Sequence, residues 1–204
     1  MRGIDTQVRK IRRAIFREVA NMAYNSKNLA EDMEALPYKL VDADNSPYWD
    51  NIYREREIIR ERTRLAMGMS LRPEDEPIPV SQGVEESNID EKYYEPPLMQ
   101  VIPSACNACP ENRYEVTSSC MGCLAHPCQS VCPKGAISMK NGKSVIDQEK
   151  CIKCGKCREI CPYDAICHKE RPCKAACGIG AITSDHVGRA VIDNEKCVSC
   201  GQCM

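Results

Sequence analysis

Two groups of four cysteines between Cys120 and Cys161 constrain this chain more than any other feature. The second group, Cys151, Cys154, Cys157 and Cys161, has the spacing C-x2-C-x2-C-x3-C and is followed by Pro162. The first group, Cys120, Cys123, Cys128 and Cys132, carries two extra residues before its third cysteine and is followed by Pro133. Thiols this close in the chain rarely pair with one another as disulfides, although they can pair with distant partners. Gaps of two and three residues suit several thiolates converging on one centre.

All sixteen cysteines of the 204 residues lie beyond residue 105. Such density means disulfides in a small secreted domain or metal ligation inside the cell. Residues 1–30 hold no uninterrupted apolar stretch of the signal-peptide kind. Arg12-Arg13 followed by Ala14, Ile15 and Phe16 has the look of a twin-arginine export signal. However, Arg17, Glu18, Asn21, Asn25 and Lys27 occupy the place of its apolar run. The expected location is the cytoplasm, with the cysteines as metal ligands. No window of 18 apolar residues exists, so no membrane span is expected. A net charge of −1 gives no bulk electrostatic pull towards nucleic acid.

Ile4, Val8, Ile11, Ile15, Val19 and Met22 recur at helical spacing, which predicts an amphipathic helix over 4–23 with Arg9, Lys10, Arg12, Arg13 and Arg17 on its other faces. Residues 36–47, with Pro37, Pro47 and the run Asp42-Ala43-Asp44-Asn45-Ser46, read as irregular. A second helix is expected over 48–67, stopped by Gly68, with Glu57–Arg60 and Glu61–Arg64 as pairs on a solvated face. Residues 71–104 contain six of the thirteen prolines and eight acidic against two basic residues. They are expected to be an extended, weakly ordered linker, with Leu98–Ile102 as a candidate docking strand.

Residues 126–157 repeat at 171–203 with one extra residue in the later copy. Each copy holds an Ala-Ile strand, a turn and a Val-Ile-Asp strand, and Asn141-Gly142 in the first copy is a strong hairpin signal. The spacing of Cys151 to Pro162 is the iron–sulfur run of bacterial ferredoxins, in which the cysteine before proline ligates the other cluster of the pair. That rule gives definite sets. One [4Fe–4S] cluster takes Cys120, Cys123 and Cys128 with Cys161. Another takes Cys151, Cys154 and Cys157 with Cys132. A third takes Cys197, Cys200 and Cys203 with Cys177, where Gly178 replaces the proline. Cys106, Cys109, Cys167 and Cys173 remain, the right number for a fourth cluster. In an alternative assignment, a cysteine four residues beyond Cys203 closes a cluster with Cys167 and Cys173, and only one of Cys106 and Cys109 is then needed.

Zinc is the competing metal for Cys106–Cys109 and Cys120–Cys123, two C-x2-C knuckles ten residues apart. It would take Cys120 and Cys123 from the better motif. His126, His168 and His186 read as turn residues or as supports for the ligands. No Ser/His/Asp set, phosphate loop or carboxylate pair offers a separate chemistry, so the chain shows no catalytic site of its own.

The stretch from about Val101 to Met204 resembles the ferredoxin-like region of monomeric iron-only hydrogenases of group B. IPSACNACPENRYEVT, CMGCLAHPC, the two Cys-Pro motifs, RPCKAACGIGAI and CVSCGQC carry the likeness, and NIYREREIIRERTRLAMG resembles that family's preceding helix. Asp50-Asn51 stand where the family has adjacent cysteines. The resemblance implies an electron relay serving a fused hydrogenase domain or a ferredoxin partner. The expected fold is α+β: a helical region 1–70, an acidic linker 71–104, a dicluster ferredoxin-like domain 105–166 and a second, incomplete module 167–204. Because the repeat stops in mid-motif at Met204, the gene is expected to continue. Sequencing onward should find a Cys-Pro about four residues past Cys203, and an immediate stop codon would contradict this.

Overall fold

Thr6 opens the first helix, its hydroxyl accepting the Arg9 N–H at 3.3 Å, and α1 runs Gln7–Asn25. This computed structural model describes residues 5–42, 51–87, 89 and 98–204, and the chain divides into two units, Met1–Cys106 and Asn107–Met204. The expected turn at 43–47 and the first residues of the expected second helix, 48–50, lie outside the described residues. Helix α1 buries Ile15 and Met22 and leaves Arg9, Lys10, Arg13 and Arg17 exposed, as its periodicity requires.

An unexpected helix, α2, spans Leu29–Leu40 and contains Pro37. Asn28 accepts the Glu31 N–H at 3.4 Å, and Glu31 and Asp32 sit at the electropositive first turn. A proline in a helix interior costs about 3 kcal/mol. Burial of Met33, Leu36 and Pro37 itself offsets that cost, so tertiary packing overrides the local signal. Helix α3, Ile52–Ala66, is capped by Asn51, which accepts the Arg54 N–H at 3.1 Å. The chain leaves it through Gly68 at φ 77°.

The charged middle of α3 is not a solvated face. Glu57 and Arg60 do pair at 3.1 Å. Glu61 is 4% exposed and accepts the Arg72 Nε–H at 2.6 Å. Arg64 donates to the carbonyls of Ser70, Val80 and Gln82 at 2.8–2.9 Å. Burial pulls its guanidinium below the usual arginine pKa, with Glu61 and Glu34 opposing. These bonds fasten residues 69–84 against the helices, where Met69, Val80 and Val84 join Met22, Met33 and Leu36 in one core. Ser81 adds two bonds to Glu34, each 3.0 Å, and α4 follows at Val84–Ser87. The first half of the expected linker is thus an ordered strap, because α3 supplies donors for its carbonyls. Leu98–Ile102 forms no strand, and a 3₁₀ turn follows at Pro103–Ala105.

The second unit mixes short helices with small sheets. Its described elements are β1 Arg113–Val116, α5 Pro127–Ser130, β2 Ile137–Lys140, β3 Lys143–Ile146, α6 Lys156–Glu159, β4 Ile166–Lys169, α7 Pro172–Ala175, β5 Ile182–Ser184 and β6 Ala190–Ile192. Three antiparallel pairs form: β1 with β4, β2 with β3, β5 with β6. Asn141 and Gly142, at φ 49° and 73°, make the two-residue turn between β2 and β3. The β1–β4 pair runs Arg113↔Lys169 to Val116↔Ile166, carrying the first cysteine-rich module past the expected boundary at residue 166. No described helix is long and apolar enough to cross a membrane.

Replacing Arg64 by Met should strand the carbonyls of Val80 and Gln82 and release the strap, at about 2–3 kcal/mol. Urea unfolding followed by helical circular dichroism measures this; an unchanged midpoint would show the strap to be held by packing alone.

Candidate metal centres

Each cysteine loop carries a left-handed residue at the same place. Gly122, Lys153 and Ser199 each precede the second cysteine of their C-x2-C and take φ of 57°, 59° and 53°. After the first two loops, the third cysteine sits on a short helix: Cys128 on α5 and Cys157 on α6. Past each helix the chain turns at Gly135, Asp164 or Gly180, with φ of 57°, 46° and 65°. It then buries Ala136, Ala165 or Ala181 at 1–2% exposure.

Two cavities result. One, about 320 Å³ including its open mouth, is lined by Cys120, Cys123, Cys128 and Cys161, with Val116, Pro162 and Ile166 among its walls. The other, about 340 Å³, is lined by Cys151, Cys154, Cys157 and Cys132, with Tyr114, Ile137 and Ile146. Each cavity therefore draws three cysteines from one motif and the cysteine before proline from the other. Between them lies one small core in which Cys128 and Cys157 pack with Ile137, Ile146 and Ile166.

Polar groups around the sulfurs are few and directed. Cys128 Sγ and Ser144 Oγ stand 3.3 Å apart. Backbone N–H groups of Ser144 and Gly122 hold the Cys120 thiol below its ordinary pKa, with Lys143 helping. Burial pushes Cys157 up, and the neighbouring sulfurs of Cys151 and Cys154 add to this. The Ala136 N–H donates to Cys132 Sγ at 3.3 Å. A Cβ on Gly122 would lie 1.9 Å from the Gly142 carbonyl oxygen, so the first loop closes on the β2–β3 turn only with glycine there. A Cβ on Gly155 would meet the Tyr114 hydroxyl at 2.9 Å.

The repeat recurs in its backbone bonds. Ala181 N–H donates to Cys177 Sγ at 3.3 Å, matching Ala136 and Cys132. Asp193 N–H donates to the Ala181 carbonyl at 2.8 Å, matching Asp147 to Ala136. The carboxylates of Asp147 and Asp193 each accept the next loop's N–H groups, from Glu149 and Lys150 or from Glu195 and Lys196. Burial pushes the Cys203 thiol up, and Cys173, Cys177 and Cys197 add to this. Cys200 is exposed. Cys167 lies on β4, its thiol 3.6 Å from the Glu115 carbonyl, and lines neither cavity. The histidines hold backbone positions: His126 is left-handed before α5, His186 is in the β5–β6 turn, and His168 stacks on Tyr114 and pairs with Asn112. Sequence reasoning missed β1 and the roles of Tyr114 and Ser144; the alternation in Tyr-Glu-Val was a short signal for the strand.

Residues 119–166 match the 4Fe-4S dicluster domain family. A 7Fe ferredoxin of Hydrogenibacillus schlegelii is 37% identical over 57 residues, which are 28% of this chain and 73% of that ferredoxin. The chain belongs to the ferredoxin family. An uncharacterised ferredoxin of Methanocaldococcus jannaschii is 46% identical over 52 residues, 26% of this chain and 34% of that protein. The electron transport protein HydN of Escherichia coli is 43% identical over 61 residues, 30% and 35% of the two chains. This ferredoxin chain spans about a third of the length of those last two relatives. No solved structure matches it. Its cofactors are [4Fe–4S] clusters, and the cavities fit them in donor type, in apolar walls and in backbone N–H groups near sulfur.

Gly122→Ala should abolish closure of the first loop and lower iron by about one cluster, four irons per chain. Gly135→Ala meets open space and costs only left-handed strain, about 1–2 kcal/mol, with iron retained. Iron and acid-labile sulfide assays of both variants decide this, and full iron in Gly122→Ala would refute the packing constraint.

Proposed function

We propose that this ferredoxin is the relay portion of an iron-only hydrogenase, passing single electrons through [4Fe–4S] clusters towards that enzyme's catalytic domain. Cys120, Cys123, Cys128 and Cys161 ligate one cluster. Cys151, Cys154, Cys157 and Cys132 ligate the second, and Cys197, Cys200, Cys203 and Cys177 the third. The observation that carries the two-cluster relay is the crossed lining of the two cavities, three cysteines from one motif and one from the other. When bound, such a cluster supplies a one-electron redox couple whose potential follows its surroundings. The chain's part is to hold four thiolates, keep the walls apolar and aim N–H groups at sulfur.

The hydrogenase assignment rests on the resemblance of residues 101–204 and of the helix after Asn51. HydN is named an electron transport protein, which favours a second reading: a polyferredoxin or electron-transfer subunit of another oxidoreductase. Both readings require a redox partner. The sequence of the whole gene separates them: a cysteine-bearing catalytic domain encoded with this chain supports the first, and a gene without one removes it.

Anaerobic reconstitution followed by metal analysis tests the shared claim. Iron and sulfide should be bound in equal amounts, with S = 1/2 electron paramagnetic resonance signals after dithionite. Tight zinc and no reduced-cluster signal would end the relay reading.

A further inference from the structure

The second repeat lacks a cysteine loop of its own ahead of α7, where Cys120–Cys123 stands in the first repeat. The structure supplies one from upstream. Cys109 closes a C-x2-C opened in sequence by Cys106, and Ala108 before it takes φ 46°, the conformation shared by Gly122, Lys153 and Ser199. In the first repeat the Gly122 loop packs on Gly142 of the β2–β3 turn. In the second, a Cβ built on Gly188 of the β5–β6 turn would lie 3.8 Å from Ala108 Cβ. The same loop conformation meets the same hairpin end.

Arg171 fixes this contact. Only 2% exposed, it donates through Nη2 to the carbonyls of Cys109, at 2.9 Å, and Gly188, at 2.5 Å. Its Nη1 is buried with no hydrogen-bond partner. Glu111, two residues past Cys109, binds Ser184 of β5 and Lys174 of α7. The Glu111 carboxylate, 3.9 Å from Nε, pairs with this cation, and the unused Nη1 donor suits a second anionic group, such as an iron–sulfur cluster with its thiolates.

The path of the chain allows this. β1 and β4 pair from Arg113↔Lys169, so the first module begins and ends at one place. A unit with adjacent ends can be inserted into another without distorting either.

Building on the cluster-binding reading above, we propose that Cys109 and Cys173 supply two of the thiolates of a further [4Fe–4S] cluster in a second ferredoxin-like module assembled from the Cys109 loop and residues 171–203, with residues 113–169 inserted into it. The two modules are nested, not consecutive. Cys173 takes the place that Cys128 has in the first module, while Cys167 stays on β4.

Thiol alkylation of the intact, anaerobically reconstituted chain tests this without a mutation. Iodoacetamide labelling read by mass spectrometry should find Cys109 and Cys173 protected alongside Cys120 and Cys151, with all four released by iron chelation. The Cys109→Ala/Cys173→Ala variant should lose about four irons and four sulfides per chain and keep the protection of Cys120 and Cys151. Cys109 labelled at its chelated rate while Cys120 and Cys151 stay protected would overturn the nested module and leave the relay standing. Loss of protection at every cysteine in the reconstituted wild-type chain would overturn both.

Discussion

Four thiolates must reach one centre from a chain whose local loop can offer three. Much of the second unit follows from this. A C-x2-C-x2-C turn wraps three corners, so the fourth donor comes from a distant segment, and two such turns are satisfied by exchanging one cysteine each. The exchange brings Cys132 to the Cys151 loop and Cys161 to the Cys120 loop. It also makes the space between the cavities the core of the module, where Cys128 and Cys157 serve as packing residues as well as cavity lining. The strands here have three or four residues each. Such hairpins are marginal alone, so the folding of this unit is coupled to its ligands.

Glycine and a few residues tolerated at positive φ give the loops their geometry. At Gly122 the requirement is close approach to the Gly142 backbone; at Gly155 it is the Tyr114 hydroxyl. Lys153 and Ser199 take the same left-handed backbone without such crowding, which explains why the motif is constant in its cysteines and variable between them. The N-terminal unit obeys different physics. There Arg64 of α3 donates to carbonyls of the strap that follows it, and Glu61 of α3 accepts from Arg72 of that strap.

The cysteine spacing, the repeat and the Asn141-Gly142 hairpin were legible in the residues because each depends on neighbours within a few positions. α1 was legible for the same reason. α2 was missed because Pro37 is a strong local breaker, and only the burial of Met33, Leu36 and Pro37 outweighs it. The strap at 69–84 was misread as a free linker because its order comes from Arg64 and Arg72, whose partners lie up to eighteen residues away. β1 was missed because a four-residue strand declares itself only through its partner, β4, some fifty positions later. The docking of the Cys109 loop on Arg171 spans sixty-two residues and leaves no local pattern at all.

The exchange of cysteines between motifs is most directly tested by anomalous X-ray diffraction at the iron edge from crystals of the reconstituted chain. Iron density should include two sites, one ringed by Cys120, Cys123, Cys128 and Cys161, the other by Cys151, Cys154, Cys157 and Cys132. Iron bound by Cys132 together with Cys120, Cys123 and Cys128, or anomalous density at the zinc edge alone, would contradict it.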